Sequence, residues 1–206
     1  RTAKRPSLGR AQGGLKLERF FTSPGAGLDQ IEMIKRSSAI VNTDGSVVFK
    51  MDDIEVPKGW SQLATDILVS KYFRKAGVPG VGHETSAKQV VHRIAHTIRT
   101  AGEAGHYFLT KEDADVFEAE LSEMLITQKS AFNSPVWFNC GLYHEYGIIG
   151  SGGNYYWNPE TKRVEITTDA YSHPQCSACF IQKVGDDLMS IFALVKSEAR
   201  LFKFGS

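Results

Sequence analysis

Two cysteines stand three residues apart in Cys176-Ser177-Ala178-Cys179, and a third, Cys140, closes the stretch Asn133-Ser134-Pro135-Val136-Trp137-Phe138-Asn139-Cys140. Thiols at this spacing have three chemical readings: half of a zinc site, a dithiol that exchanges with an external reductant, or small side chains buried on a strand. A zinc set can be written as Cys140, His173, Cys176 and Cys179, which makes the chain a zinc-stabilised binding module using His173, Cys176 and Cys179. The redox reading needs a partner thiol that Cys179 can meet as a disulfide. Upstream, the Asn133-Ser134-Pro135 turn offers a hydroxyl, a side-chain amide and backbone groups in a rigid setting suited to a sugar or phosphate.

Other constellations carry less. Gly150-Ser151-Gly152-Gly153 is not followed by a helix signal, so it reads as a loop rather than a phosphate cradle. His92 and His96 lie four apart on a helix, but Arg93 stands where a metalloprotease helix places its glutamate, and the pair reads as surface or edge histidines. Asp52-Asp53 and Asp186-Asp187 are adjacent acids in turns or caps, without the converging setting of an acid and a base. Trp60, Trp137 and Trp157 are read as core anchors.

The elements that must position these residues follow from periodicity and punctuation. Ser38–Val41 and Ser46–Phe49 flank Asn42-Thr43-Asp44-Gly45, where Asp-Gly supplies the positive φ of a tight hairpin. Ser61 is an N-cap for a helix with Leu63, Ile67, Leu68, Tyr72 and Phe73 on one side. A second helix starts at Thr85 or Ser86, carries Val90, Val91, Ile94 and Ile98 inward and ends near Gly102; a third starts at Thr110 and buries Phe117, Leu121, Met124 and Leu125. These helices form one packed unit. Pro135 is incompatible with a helix interior, and a boundary is placed near residue 130. Residues 155–157 and 163–166 bracket Asn158-Pro159-Glu160-Thr161 as a second hairpin. Gln175 to Lys183 reads as a buried strand, followed from Asp186 by a helix with Leu188, Ile191, Phe192, Val195 and Ala199 at helical spacing. Strand, helix and glycine turn are the start of an α/β layer.

With 206 residues, of which 42% are hydrophobic, the chain can bury a sizeable core. A formal charge of +1 supplies no field for nucleic acid, and no apolar run reaches the roughly 20 residues that cross a bilayer. The expectation is no nucleic acid, no membrane and a cytoplasmic address; an odd, sparse cysteine count is not a secreted disulfide framework. Residues 1–13 read as a flexible basic tail, 14–130 as an N-terminal region with a hairpin and three helices, and 131–206 as the start of a further domain. The opening Arg1 and the close at Gly205-Ser206 make both ends look cut.

Residues 133–141 and Pro174-Gln175-Cys176-Ser177-Ala178-Cys179-Phe180-Ile181 together resemble the substrate-binding and redox-cysteine region of the adenosylcobalamin-dependent, class II ribonucleotide reductases. Leu15 to Thr22, Val56 to Thr65, Lys71-Tyr72-Phe73-Arg74 and Leu188 to Phe204 resemble the N-terminal portion of the same family. The resemblance implies a mostly helical N-terminal region leading into a ten-stranded α/β barrel. It also implies a ribonucleoside-diphosphate reductase that forms 2′-deoxyribonucleotides by cobalamin-initiated thiyl-radical chemistry with a redox cysteine pair. Cys179 is then the N-terminal member of that pair, whose partner and radical cysteine lie outside this sequence. Ser134, Ala178 and Cys179 contact substrate, Ala178 through its backbone, and Gly205 opens the next phosphate-facing turn. The family positions of Cys140 and Cys176 also carry alanine, so both read as packing residues. The implied partners are a ribonucleotide, deoxynucleotide effectors, a thioredoxin-like reductant, the remainder of the reductase chain and, at full length, a second copy in a homodimer. This portion alone is expected to have no turnover.

Overall fold

The computed structural model describes residues 13–177 and 179–204. Most of the basic N-terminal stretch, together with Ala178 and Gly205, lies outside the described residues.

A long hairpin comes first. Strands β1 (Met33–Val41) and β2 (Val47–Pro57) pair antiparallel, with Val41 opposite Val47 and Met33 opposite Pro57. The arms run further toward the core than the 38–41 and 46–49 expected, because β2 carries Ile54 and Val56, both fully buried. In the connecting loop only Gly45 has positive φ, at 85°; Asp44 instead accepts the Ser46 amide on its carboxylate at 2.9 Å. The loop is therefore longer than a two-residue turn.

Helix α1 (Gln62–Ile67) is capped by Ser61, whose Oγ accepts the Ala64 amide, and passes directly into a π-type turn over Leu68–Tyr72. That change of winding alters the buried face: Thr65, Leu68, Val69 and Phe73 point inward while Leu63 and Ile67 are exposed. Helices α2 (Ala87–Ala104) and α3 (Lys111–Ile126) both start with capping boxes, Ser86 with Gln89 and Thr110 with Asp113. Val90, Val91, Ile94, Leu121 and Leu125 meet Ile54, Val56 and Trp60 in one core. The Trp60 indole N–H donates to the Ile126 carbonyl at 2.7 Å, tying the end of α3 to the start of α1. The stretch before the hairpin lies along α3: the Leu17 amide donates to Asp113 and the Phe21 and Thr22 amides to Glu120.

Across residue 130 the core continues through Val136 and Cys140. Residues 133–135 are a helix start rather than a free turn. Pro135 sits in the first turn of α4 (Ser134–Asn139), where no intrahelical N–H is required. Gly141, at φ 83°, turns the chain into the short α5 (Leu142–Tyr146); a Cβ there would lie 2.4 Å from the Arg93 carbonyl oxygen, so only glycine fits against α2.

The second hairpin, β3 (Tyr155–Asn158) with β4 (Arg163–Ile166), forms as expected. Trp157 is exposed on it and is not a core anchor, unlike the buried Trp60. The described residues of the expected strand, 175–177 and 179–183, do not form it: they run as irregular, largely exposed chain, because an apolar run becomes a strand only beside a partner edge. Helix α6 (Leu188–Phe204) follows, its start held by Asp187, which accepts the Ser190 amide at 2.9 Å. Its expected apolar face is present, but Leu188, Ile191, Phe192 and Val195 are exposed. The chain is a mixed α and β structure; among the described residues the strands make two two-stranded sheets.

Candidate active-site segment

The centre of the helical unit is an ion pair that the sequence reading missed. Arg93 and Glu84 are both completely buried, with the Arg93 Nε donating to Glu84 Oε1 at 2.7 Å. The guanidinium also donates to the carbonyls of Cys140 at 2.7 Å, Trp137 at 2.8 Å and Tyr72 at 3.3 Å. Glu84 is completed by the Tyr146 hydroxyl and the Arg74 amide. Burial and then the neighbouring Glu84 charge push the Tyr146 phenol up, so it stays a donor to Glu84. Three of the acceptors on Arg93 are backbone carbonyls at the C-terminal ends of α4 and of the π-type turn, groups that a helix leaves unpaired. One side chain thus fixes α2, α4 and the turn before Phe73 relative to each other. Sequence offered no signal for this beyond an arginine in an otherwise apolar helix face.

Helix α4 carries the expected site residue Ser134. Its Oγ lies 3.1 Å from the Tyr72 hydroxyl, and Tyr72 packs on the Phe138 and Trp137 rings. From the other end of α4, the Asn139 side-chain amide donates to the Gln175 carbonyl at 2.8 Å. This bond ties the cysteine-bearing segment to α4. Asn154 adds a second tie through its amide to the His173 carbonyl, also at 2.8 Å.

Beyond these ties the chain turns outward. Cys179 is exposed and has a φ of 68°, a left-handed backbone that costs a non-glycine residue energy and that clusters at functional sites. Two cavities share Asn154 and Gln175 as walls. One, of about 210 Å³, also takes in Phe138, Asn139, Tyr171 and Lys203; the other, of about 420 Å³, takes in Phe180, Ile181 and Arg200. Amides, a lysine, an arginine and aromatic faces are the groups that orient a phosphorylated, ring-bearing ligand. Ser134 and Cys179 are therefore connected through one short helix and one hydrogen bond, rather than by direct contact.

The zinc reading does not hold. Among the described residues no group of three histidine, cysteine or acidic side chains is arranged to bind a metal. The His173 ring stacks on Tyr156 at 3.8 Å and its Nδ1 faces the Ser172 hydroxyl, while Cys140 is buried in the core and Cys176 packs against that core. His92 and His96 stack at the protein edge beside Glu118 and Glu145, in keeping with an edge pair.

The loop that precedes the second hairpin is organised by Asp169, whose carboxylate accepts the amides of Gly150 at 2.6 Å, Tyr171 at 3.1 Å and Ser172 at 2.8 Å. Burial pushes this carboxyl up, but the three amides outweigh it and hold it below the ordinary 3.8. A lowered folded value means the contribution is present above 3.8 and is lost as pH falls through the lowered value. The protection of the Gly150, Tyr171 and Ser172 amides, relative to the intrinsic exchange rate at each pH, is therefore expected to hold above 3.8 and to fall as pH drops through the lowered value. In Asp169→Asn that pH dependence disappears; unchanged acid sensitivity in the variant would contradict the assignment.

Comparison with known proteins decides the family. A family model described as class II vitamin B12-dependent ribonucleotide reductase matches residues 34–128. The vitamin B12-dependent ribonucleotide reductase of Agrobacterium fabrum is 45% identical over 93% of this chain and 18% of its own length. Those of Rhodopirellula baltica, 44% identical over 83% of the chain, and Streptomyces avermitilis, 39% over 100%, cover 16% and 19% of their own lengths. The chain belongs to the class II, vitamin B12-dependent ribonucleotide reductases. It spans less than a fifth of the length of these relatives, matching their N-terminal part. The reductase family is oxidoreductase and cobalamin-dependent, and it serves deoxyribonucleotide synthesis. Within the reductase chain, the Arg93–Glu84 pair, Tyr72, Asn139 and Gln175 hold the two stretches that carried the resemblance.

Proposed function

We propose that this chain supplies the N-terminal part of a ribonucleotide reductase and contributes one wall of its nucleotide site and one of its reducing thiols. The observation that carries the reading is the exposed, left-handed Cys179 on a segment anchored to α4 by Asn139 and to the β3 approach by Asn154. An exposed thiol on a tethered, otherwise irregular segment can approach a sugar, pair with a second cysteine and meet an external dithiol reductant. Ser134, Ala178 through its backbone, Cys179 and Gly205 are the substrate contacts in this reading, and Arg93 and Tyr72 are positioning residues for Ser134. The substrate is a ribonucleoside diphosphate.

In the reaction, Cys179 and its partner thiol together release two electrons and two protons, forming one S–S bond as the ribose 2′ carbon loses its hydroxyl as water. A dithiol protein of thioredoxin type then restores both thiols by exchange. Cobalamin, when bound to the reductase, supplies the radical that starts the chemistry. The described cavities are open and modest, and no residue of this chain is assigned to the corrin.

The exposed apolar face of α6 supports a continuation that covers it, forming the ten-stranded barrel, with deoxynucleotide effectors and a second copy bound by the full-length cytoplasmic enzyme. The test is an assay of the full reductase chain with ribonucleoside diphosphate, adenosylcobalamin and dithiol. Cobalamin-dependent deoxyribonucleotide formation is expected, whereas absence of turnover with an intact fold overturns the reading.

A further inference from the structure

Cys140 and Cys176 stand at the junction of α4 and the Cys179 segment, beside the Asn139–Gln175 bond that joins the two. Cys140 is the C-cap of α4, 5% exposed, and its carbonyl is held by Arg93 at 2.7 Å. Cys176 is half-buried and packs against the same core. Their immediate neighbours, Asn139 and Gln175, are joined by a 2.8 Å hydrogen bond, which sets the two chains side by side at this register. The two thiols are near enough to bias each other's titration, Cys140 upward and Cys176 downward.

We infer that Cys140 and Cys176 form a dithiol–disulfide couple of their own, separate from Cys179, and that its oxidation by a low-molecular-weight disulfide covalently clamps the Cys179 segment to helix α4. The Asn139–Gln175 bond already sets the two backbones side by side, and closure brings the sulfurs to a bond of about 2.0 Å. Cys179, exposed and turned outward by its left-handed backbone three residues further on, is left free.

The chemistry balances as two exchanges. The Cys176 sulfur, as thiolate, attacks the small disulfide RSSR, forming Cys176–S–S–R and releasing RS⁻; Cys140 then loses its proton and attacks the Cys176 sulfur, forming the protein disulfide and releasing a second RS⁻. Two S–H bonds are lost, one S–S bond is made, and the small disulfide takes up both electrons and, at neutral pH, both protons. The order follows from that mutual bias. The neighbouring Cys140 thiol holds the Cys176 thiol below the ordinary value, while Cys176 and then burial push Cys140 up. The half-buried, more acidic thiol is the one a small disulfide reaches first.

The experiment equilibrates the purified, reduced protein with oxidised glutathione, blocks free thiols with N-ethylmaleimide and maps the peptides without reduction. The expected product is a Cys140–Cys176 linked peptide, lighter by two hydrogens than the sum of its parts. It is preceded in time by glutathione on Cys176, and formed equally in Cys179→Ser. In Cys140→Ser the reaction stops with glutathione on Cys176. A Cys176–Cys179 link as the main product, a mixture of all pairings, or blocked thiols at both Cys140 and Cys176 after Cys179 has been oxidised each overturns the inference. The couple is read out by peptide identity alone, so its failure leaves the reductase reading to its own assay.

Discussion

Cys179→Ser is expected to lower deoxyribonucleotide formation by the full reductase chain at least about a thousandfold, equivalent to about 4 kcal/mol of transition-state stabilisation. The hydroxyl of serine neither forms a disulfide nor yields electrons at the ribose, so the loss falls on the chemical step and not on folding. Cys179 is exposed and makes no core contact. Unfolding free energy should therefore move by no more than about 0.5 kcal/mol. The paired control is Cys176→Ala, which removes a thiol three residues away and is expected to keep turnover under reducing conditions. Turnover by the serine variant within tenfold of the parent would remove Cys179 from the chemistry.

The largest stability effect is expected at Arg93. Arg93→Met leaves the Glu84 carboxylate buried without its cation and strands the carbonyls of Cys140, Trp137 and Tyr72. Breaking a buried ion pair from one side costs about 3–5 kcal/mol, which urea unfolding of the purified protein measures directly. Arg93→Lys is not a rescue: an ammonium is a compact donor and cannot span four acceptors that surround a planar fork. Its loss should lie between those of the parent and the methionine variant. A methionine variant destabilised by less than about 1 kcal/mol would mean that the packing around α4, and not the ion pair, holds the helices together.

How much of this was legible in the sequence depended on whether the signal was local. Ser61, Ser86 and Thr110 were recognisable as caps because capping is decided within four residues, and all three cap the helices expected of them. The second hairpin was legible for the same reason. Arg93 was not, because a buried arginine is distinguished from a surface one only by its partners, Glu84 across a loop and Trp137 and Cys140 far away in the chain. Residues 175–183 were misread as a strand since apolar composition states a preference for burial and says nothing about which edge is present to receive it. The proline rule excludes helix interiors and not first turns, so Pro135 left the start of α4 at Ser134 illegible. At the site, Ser134 and the cysteines were visible as residue types, whereas Tyr72, Asn139 and Gln175 entered only with the geometry.

The uncovered face of α6 has a consequence on the ribosome. If the remainder of the reductase follows at several times the length of this chain, synthesis at about 5–20 residues per second leaves Leu188, Ile191, Phe192 and Val195 facing water for roughly a minute or more after they emerge. Over that interval the helix is a site for chaperone capture and for sticking to neighbouring nascent chains. Helices α2 and α3, with their apolar faces already closed against the β1–β2 hairpin, give the emerging polypeptide a finished platform on which to wait.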